Sequence, residues 1–257
     1  MSLTVEEWHQ RFTQQAEWTS PLRDYCFKLP GISAAGSILE VGCGTGVITS
    51  DLHRLSQASI TGVDIQYERL AYAHRVDPLT IFYVADANHL PFGNPRFHVV
   101  VCHYFLLWCL DPVSVLTEMR RVAAPGGWLL VLAEPDYSHR TDEPAELKSL
   151  GAAQTDALRW QGAHPDLGMH LPELIRQSGW NLMEAGVFQP PSPQLETQLP
   201  DGWDLEWKVL EDDFEHHIAP VQLSTWKELD RKAWLAGTRR LEVPTHYAIA
   251  QSPLTSP

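Results

Sequence analysis

The segment Ile38 to Thr49 constrains this chain more than any other. It reads as a short apolar strand ending in Glu40-Val41, three alternating glycines (Gly42, Gly44, Gly46) and the first turn of an amphipathic helix. Glycine carries no Cβ, so such a junction lets the backbone turn tightly and come close to a ligand. The unpaired N–H groups at the start of the following helix face the same crevice. Asp64 closes the next apolar run, Ser59 to Val63, about 20 residues downstream, the spacing at which an acidic side chain can grip a ribose. The junction points to a nucleoside-containing ligand.

The surrounding pattern places that junction in a parallel sheet. From Ser37 to about Ala133 strand-like and helix-like segments alternate. Ile38–Val41, a run ending at Asp64, Thr80–Ala85, Phe97–Cys102 and Trp128–Ala133 read as five strands. Between them lie a helix with Ile48, Leu52 and Leu55 on one face, a helix over Tyr67–Arg75, and a helix capped by Asp111-Pro112. The first 35 residues read as a helical cap, with one helix carrying Val5, Trp8, Phe12 and Gln15 on a face and a second starting at Ser20-Pro21. Beyond Glu134-Pro135 the regularity fades: a helix over Pro144–Trp160, another over Leu171–Ser178, a strand over Trp180–Phe188, an extended run Gln189–Pro193, partly helical Trp-rich residues 203–237, and a last strand Val243–Gln251.

A chain of 257 residues with 44% apolar content can bury one large α/β core. Its 19 basic and 32 acidic residues give a net charge of −13, which opposes a DNA or structured-RNA partner. Arg239-Arg240, with Lys232 nearby, reads as a solvated helix face. Cys26, Cys43, Cys102 and Cys109 show no CxxC spacing and read as reduced thiols of a cytoplasmic protein without zinc. The N-terminus lacks the pattern of a signal peptide, and no apolar run is long enough for a membrane span. Glu211, Asp212, Asp213, Glu215, His216 and His217 read as a solvated acidic surface, not a metal site. The tryptophans of residues 203–234, with Tyr137 and Trp160, suit either an apolar acceptor pocket or plain packing of a lid.

A dinucleotide fingerprint places a third glycine where helix and strand pack closely. Here Val47 stands in that place, and Glu40 precedes the turn; both favour a ligand without a pyrophosphate. At this point the chain resembles the class I S-adenosylmethionine-dependent methyltransferases, of the small-molecule "methyltransferase type 11" kind. The resemblance is carried by Glu40-Val41-Gly42-Cys43-Gly44-Thr45-Gly46, by Gly62-Val63-Asp64-Ile65, by Ala85-Asp86-Ala87-Asn88-His89-Leu90-Pro91-Phe92, and by Leu106–Pro112 with Arg121–Gly127, in order over residues 36–134.

The resemblance implies a three-layer α/β sandwich around a mostly parallel, seven-stranded Rossmann-like sheet with an antiparallel last strand, plus helical lid additions. The whole chain, 1–257, would be one domain: a cap (1–35), a cofactor-binding half (36–134) and a substrate-side half (135–257). The implied cofactor is S-adenosyl-L-methionine, leaving S-adenosyl-L-homocysteine, with a small-molecule methyl acceptor. Its implied contacts are Asp64 on the ribose, Asp86 on the adenine amino group, Ala87, Ile65 and Asn88 around the adenine, and Gly42, Cys43, Gly44 and Gly46 along the turn. The α-amino group would meet carbonyls near Gly42 and Cys102-His103, or Glu40 through water. His103 suits either general-base work on an acceptor hydroxyl or backbone contact with the cofactor, and Trp18 and Arg23 suit a lid. An NAD(P)-dependent oxidoreductase of the same fold is the rival reading. A non-catalytic protein that only holds the adenosyl ligand would need the same acids.

Overall fold

The computed structural model describes residues 3–29, 31–188, 197–215 and 217–254; the run 189–193 and His216 lie outside them. The strands are β1 (Ser37–Val41), β2 (Ser59–Asp64), β3 (Ile81–Val84), β4 (Phe97–His103), β5 (Ala123–Pro135), β6 (Thr141–Glu143), β7 (Asn181–Phe188), β8 (Arg240–Glu242) and β9 (Thr245–Gln251). The helices are α1 (Val5–Cys26), α2 (Val47–Leu55), α3 (Tyr67–Val76), α4 (Pro112–Val122), α5 (Lys148–Trp160), α6 (Leu167–Gln177), α7 (Trp203–Asp213) and α8 (Pro220–Leu235). Seven strands form one sheet in the order β3-β2-β1-β4-β5-β9-β7. β1 to β5 pair in parallel, and β9 lies antiparallel between β5 and β7, as the resemblance implied.

Because helices cover both faces, the central strands are apolar on both sides. Leu39, Val41, Val100, Cys102, Leu129 and Val131 point to one core with α4 and α6. Their neighbours Ile38, Val99, Val101, Leu130 and Leu132 point to the other, with α1 and α2. The strand order reverses between β1 and β4, so the crevice beyond their carboxyl ends is where an open α/β sheet holds a ligand.

Four local readings need correction. The N-terminal cap is a single helix that runs through Pro21. A proline there removes one N–H and crowds the preceding turn. Here side chains serve the carbonyls of that turn: Thr19 Oγ1 donates to Gln15 O and Arg23 Nη2 donates to Ala16 O. Likewise α6 begins a turn before Leu171 and carries Pro172 in its interior. β5 extends to Pro135, past a bulge at which Ala133 has φ 63° and the register shifts between Val131 and Glu134.

The fourth correction concerns Arg239, which is not solvated. β6 and β8 pair as a separate two-stranded ribbon, and Arg239, 5% exposed, sits beside it in a buried ion network. Its Nε donates to Asp230 at 2.6 Å and its Nη2 to Asp142 at 2.8 Å, while Arg140 Nε donates to Asp142 at 2.6 Å. Asp230 also accepts from the indoles of Trp203 (2.7 Å) and Trp207 (2.9 Å). Those tryptophans, with Trp226, Phe214, Leu147 and Leu150, form a third core under α5, α7 and α8. They are lid packing, not the lining of an open pocket.

Candidate functional site

The glycine turn has the conformation its sequence demands. Gly42, Gly44 and Gly46 have φ of 73°, 52° and 80°, where side chains with a Cβ are strained. Gly42 and Cys43 both donate to Val63 O, at 2.8 and 3.0 Å, which ties the turn to the end of β2. A Cβ at Gly42 would stand 2.2 Å from the Phe105 ring, so this glycine serves the protein's own packing as well as a ligand's approach.

Asp64 closes β2 beside that turn. Its Oδ2 accepts from Gly44 N and its Oδ1 from Gln66 N, each at 2.8 Å, which fixes the carboxylate beside the glycine turn. Ile65 beside it is 67% exposed, an apolar side chain left open at the crevice. After β3, Asp86 Oδ1 accepts from the backbone N and the Nδ2 of Asn88, both at 2.9 Å. The Asn88 hydrogen bonds hold its carboxyl below the usual range, and Ala87 lies between the two residues. The sheet thus brings the glycine turn, Asp64, Ile65, Asp86, Ala87 and Asn88 to one edge.

Two buried carboxylates flank this edge. Glu40, 2% exposed in β1, accepts from Thr49 Oγ1 of α2, and burial pushes it up to about 8. Glu134, fully buried at the end of β5, accepts from the backbone N–H groups of Phe105 (3.0 Å), Leu106 (2.9 Å) and Leu107 (3.1 Å). Burial pushes it up to about 7 against those three hydrogen bonds. The sequence held a signal for Glu134: a carboxylate closing an apolar strand, the same pattern that singles out Asp64.

β4 ends at Cys102 and His103, and the latter is part of the strand rather than the residue after it. Cys102 is fully buried, and burial pushes its thiol far up. His103 Nε2 lies 2.8 Å from Thr19 Oγ1. Thr19 Oγ1 also accepts from Arg23 Nη1 at 2.7 Å, which links the imidazole to the Arg23 anchor. Burial drives the imidazole well below its ordinary range, so it stays neutral at pH 7. Tyr104, next along, has φ 49°, an uncommon conformation for a non-glycine residue.

α1 lies across the turn as a lid. Phe12 covers Gly44, His9 Nδ1 meets Thr45 Oγ1 at 3.0 Å, and Arg11 forms an ion pair with Glu206 of α7. Arg23, 1% exposed, donates through Nε to Asp51 of α2 at 2.8 Å; it anchors the lid rather than facing the crevice. Trp18 is 47% exposed beneath the Arg11 guanidinium, which sits 4.9 Å from its ring. Asp213 is not simply solvated: Gln161 donates to it at 2.8 Å, and burial pushes it up to about 6. Among the described residues no group of three or more His, Cys, Asp or Glu is placed to hold a metal ion, and no helix is long and apolar enough to cross a membrane. All four cysteines are free and buried.

A family model described as "Methyltransferase domain" matches residues 39–131, the β1–β5 half that carries this edge. Over those residues the chain is similar to that family. It is 32% identical over 95 residues to a demethylmenaquinone methyltransferase of Chlorobaculum parvum, covering 37% of this chain and 39% of that protein. The chain thus spans about two fifths of the length of that relative. Among solved structures it is similar to a putative methyltransferase of Bacillus halodurans, with a TM-score of 0.58, 16% identity, and 88% and 97% of the two chains covered. It is also similar to the [4+2]-cyclase SpnF, with a TM-score of 0.54, 20% identity, and 95% and 82% covered. At those identities the structures show the fold.

Proposed function

We propose that this chain is an S-adenosylmethionine-dependent methyltransferase acting on a small-molecule acceptor. The observation that carries the reading is the single edge on which the positive-φ glycines, the Gly44-bound Asp64 and the Asn88-braced Asp86 meet. The donor set fits the cofactor's polar groups: carboxylates for the ribose hydroxyls and the adenine amino group, an open Ile65 for the adenine face, and strand-end carbonyls near Gly42 and His103 for the α-amino group. When bound, the cofactor supplies a sulfonium-activated methyl group that is already strongly electrophilic. The chain's own work is therefore alignment and exclusion of water. α1 covers the glycine turn through Phe12, α7 braces α1 through Glu206, and Phe105 walls the crevice above Gly42. His103, neutral and bonded to Thr19, serves the lid contact better than it serves as a base.

On this reading the chain is one domain with a cap and a lid, and its free, buried cysteines suit a reducing cytoplasm. Similarity to a [4+2]-cyclase favours one second reading, in which the same fold holds the adenosyl ligand while other chemistry proceeds in the lid half. Calorimetry with S-adenosylhomocysteine and with NAD tests the ligand: binding of NAD alone refutes the proposal. A radiolabelled methyl-transfer screen over small molecules, with protein and tRNA arms, separates the enzyme from a binding protein.

A further inference from the structure

Glu134 on β5 lies two strands from the glycine turn after β1, with β4 between, yet a chain of contacts connects them. Its Oε1 accepts from Phe105 and Leu106 and its Oε2 from Leu107, so one carboxylate holds three successive amides of the loop after β4. The first of those residues lays its ring against Gly42, with Phe105 Cδ2 2.2 Å from where a Cβ would stand. Within the 3-10 turn Leu106–Trp108 the N–H of Trp108 bonds back to Phe105 O at 3.0 Å and the N–H of His164 holds Leu107 O at 2.7 Å, while the amides of Phe105, Leu106 and Leu107 go to Glu134. The bulge at Ala133 turns β5 just before Glu134, and β-bulges serve to re-aim a side chain.

We propose that Glu134 is a positioning residue for the cofactor site, setting through Phe105 the wall of the crevice over Gly42. The inference rests on the proposed function, because the ligand whose space this wall bounds is the adenosyl cofactor. A carboxylate suits the task because only an acceptor-only group can receive three N–H donors with both oxygens. An apolar residue would leave the amides buried without partners, and an amide would place a donor against Leu107 N–H.

The test is S-adenosylhomocysteine binding by calorimetry to the full chain and to Glu134→Gln, Phe105→Leu and the double variant, with folding checked by circular dichroism. Unpairing one buried amide predicts affinity about tenfold weaker in Glu134→Gln. If Glu134 acts through the ring, its effect shrinks to within about twofold when Phe105 is already leucine, whereas it adds fully to that of Asp64→Ala. A purely structural role predicts equal losses in both backgrounds, and that result overturns the proposal, as does wild-type affinity in Glu134→Gln. If Glu134→Gln does not fold, Phe105→Leu carries the test, and unchanged affinity there overturns it. A wild-type protein that binds no S-adenosylhomocysteine refutes the proposed function before any variant is compared.

Discussion

Replacing Glu40 with glutamine should make the fold more stable at alkaline pH while weakening its ligand site. Glu40 is 2% exposed, and its one side-chain partner, Thr49 Oγ1, is a donor that a glutamine oxygen can also receive. Burial raises the carboxyl from 4.5 to about 8, so the folded state holds its proton more tightly than the unfolded chain does. The sign follows directly: the native state's advantage is complete below about pH 4.5 and is lost as pH rises towards about 8. At about 1.4 kcal/mol for each tenfold in proton affinity, the wild type loses about 3 kcal/mol through this one group between about pH 5 and pH 8. Glutamine does not titrate, so the variant escapes that loss. Urea unfolding of both proteins across this range should give curves that coincide near pH 5 and separate by about 2–4 kcal/mol at pH 8, the variant being the more stable. Other titrating groups, Glu134 included, are common to both proteins and cancel. A difference that is flat with pH, or that favours the wild type at pH 8, would refute the reasoning. S-adenosylhomocysteine affinity should fall in the same variant, the trade expected where a buried carboxyl group is kept for a ligand.

Three further outcomes are expected. Asp64→Ala should weaken S-adenosylhomocysteine binding by ~1–3 kcal/mol through lost ribose hydrogen bonds, and unchanged affinity in calorimetry would contradict the assigned pose. His103→Ala should leave that affinity unchanged, because the imidazole bonds to Thr19 and not to the glycine turn; a loss comparable to that of Asp64→Ala would move the cofactor towards β4. Arg239→Ala should destabilise the lid by ~3–5 kcal/mol, since it strips a buried partner from both Asp230 and Asp142. Chemical denaturation followed by tryptophan fluorescence reads this change, and a cost below about 1 kcal/mol would show that the network relaxes without it.

The fold of the β1–β5 part was legible because its signals are local. Gly42 to Gly46, Asp64 and Asp86 each stand at the end of an apolar run, and their neighbours in sequence are their neighbours in the site. The lid was not, because distant side chains decide it. Asp142, Asp230 and Arg239 are buried only because they pair with each other, so Arg239, read from its own neighbours, resembled a surface residue. The β6–β8 ribbon consists of Thr141-Asp142-Glu143 against Arg240-Leu241-Glu242, which shows no alternation to detect. Pro21 and Pro172 misled for the opposite reason: each stands where a local signal starts a new helix, and one continuous helix runs through it instead. Tyr104 and Phe105 escaped notice because a residue's φ and the direction of a ring leave no mark in composition.

Why the acceptor remains harder to read than the donor follows from how the walls are shared. α1 contributes Phe12 and His9 to the glycine turn, Thr19 to the end of β4, and Arg11 to α7. One helix therefore bounds both the donor's space and the lid under which an acceptor must lie. Its anchor is the Arg23–Asp51 pair, in which the arginine is fully enclosed, while its ties to α7 include the more exposed Glu7–Lys208 pair. Exposed pairs contribute little to holding a helix in place. The amino-terminal part of α1, which carries Phe12 and His9, is held instead by the more enclosed Arg11–Glu206 pair and by His9 on Thr45. On the proposed function, α1 therefore bounds donor and acceptor alike, so acceptor choice depends on long-range packing of the lid, whereas the residues proposed to choose the donor lie in local runs at the ends of β1, β2 and β3.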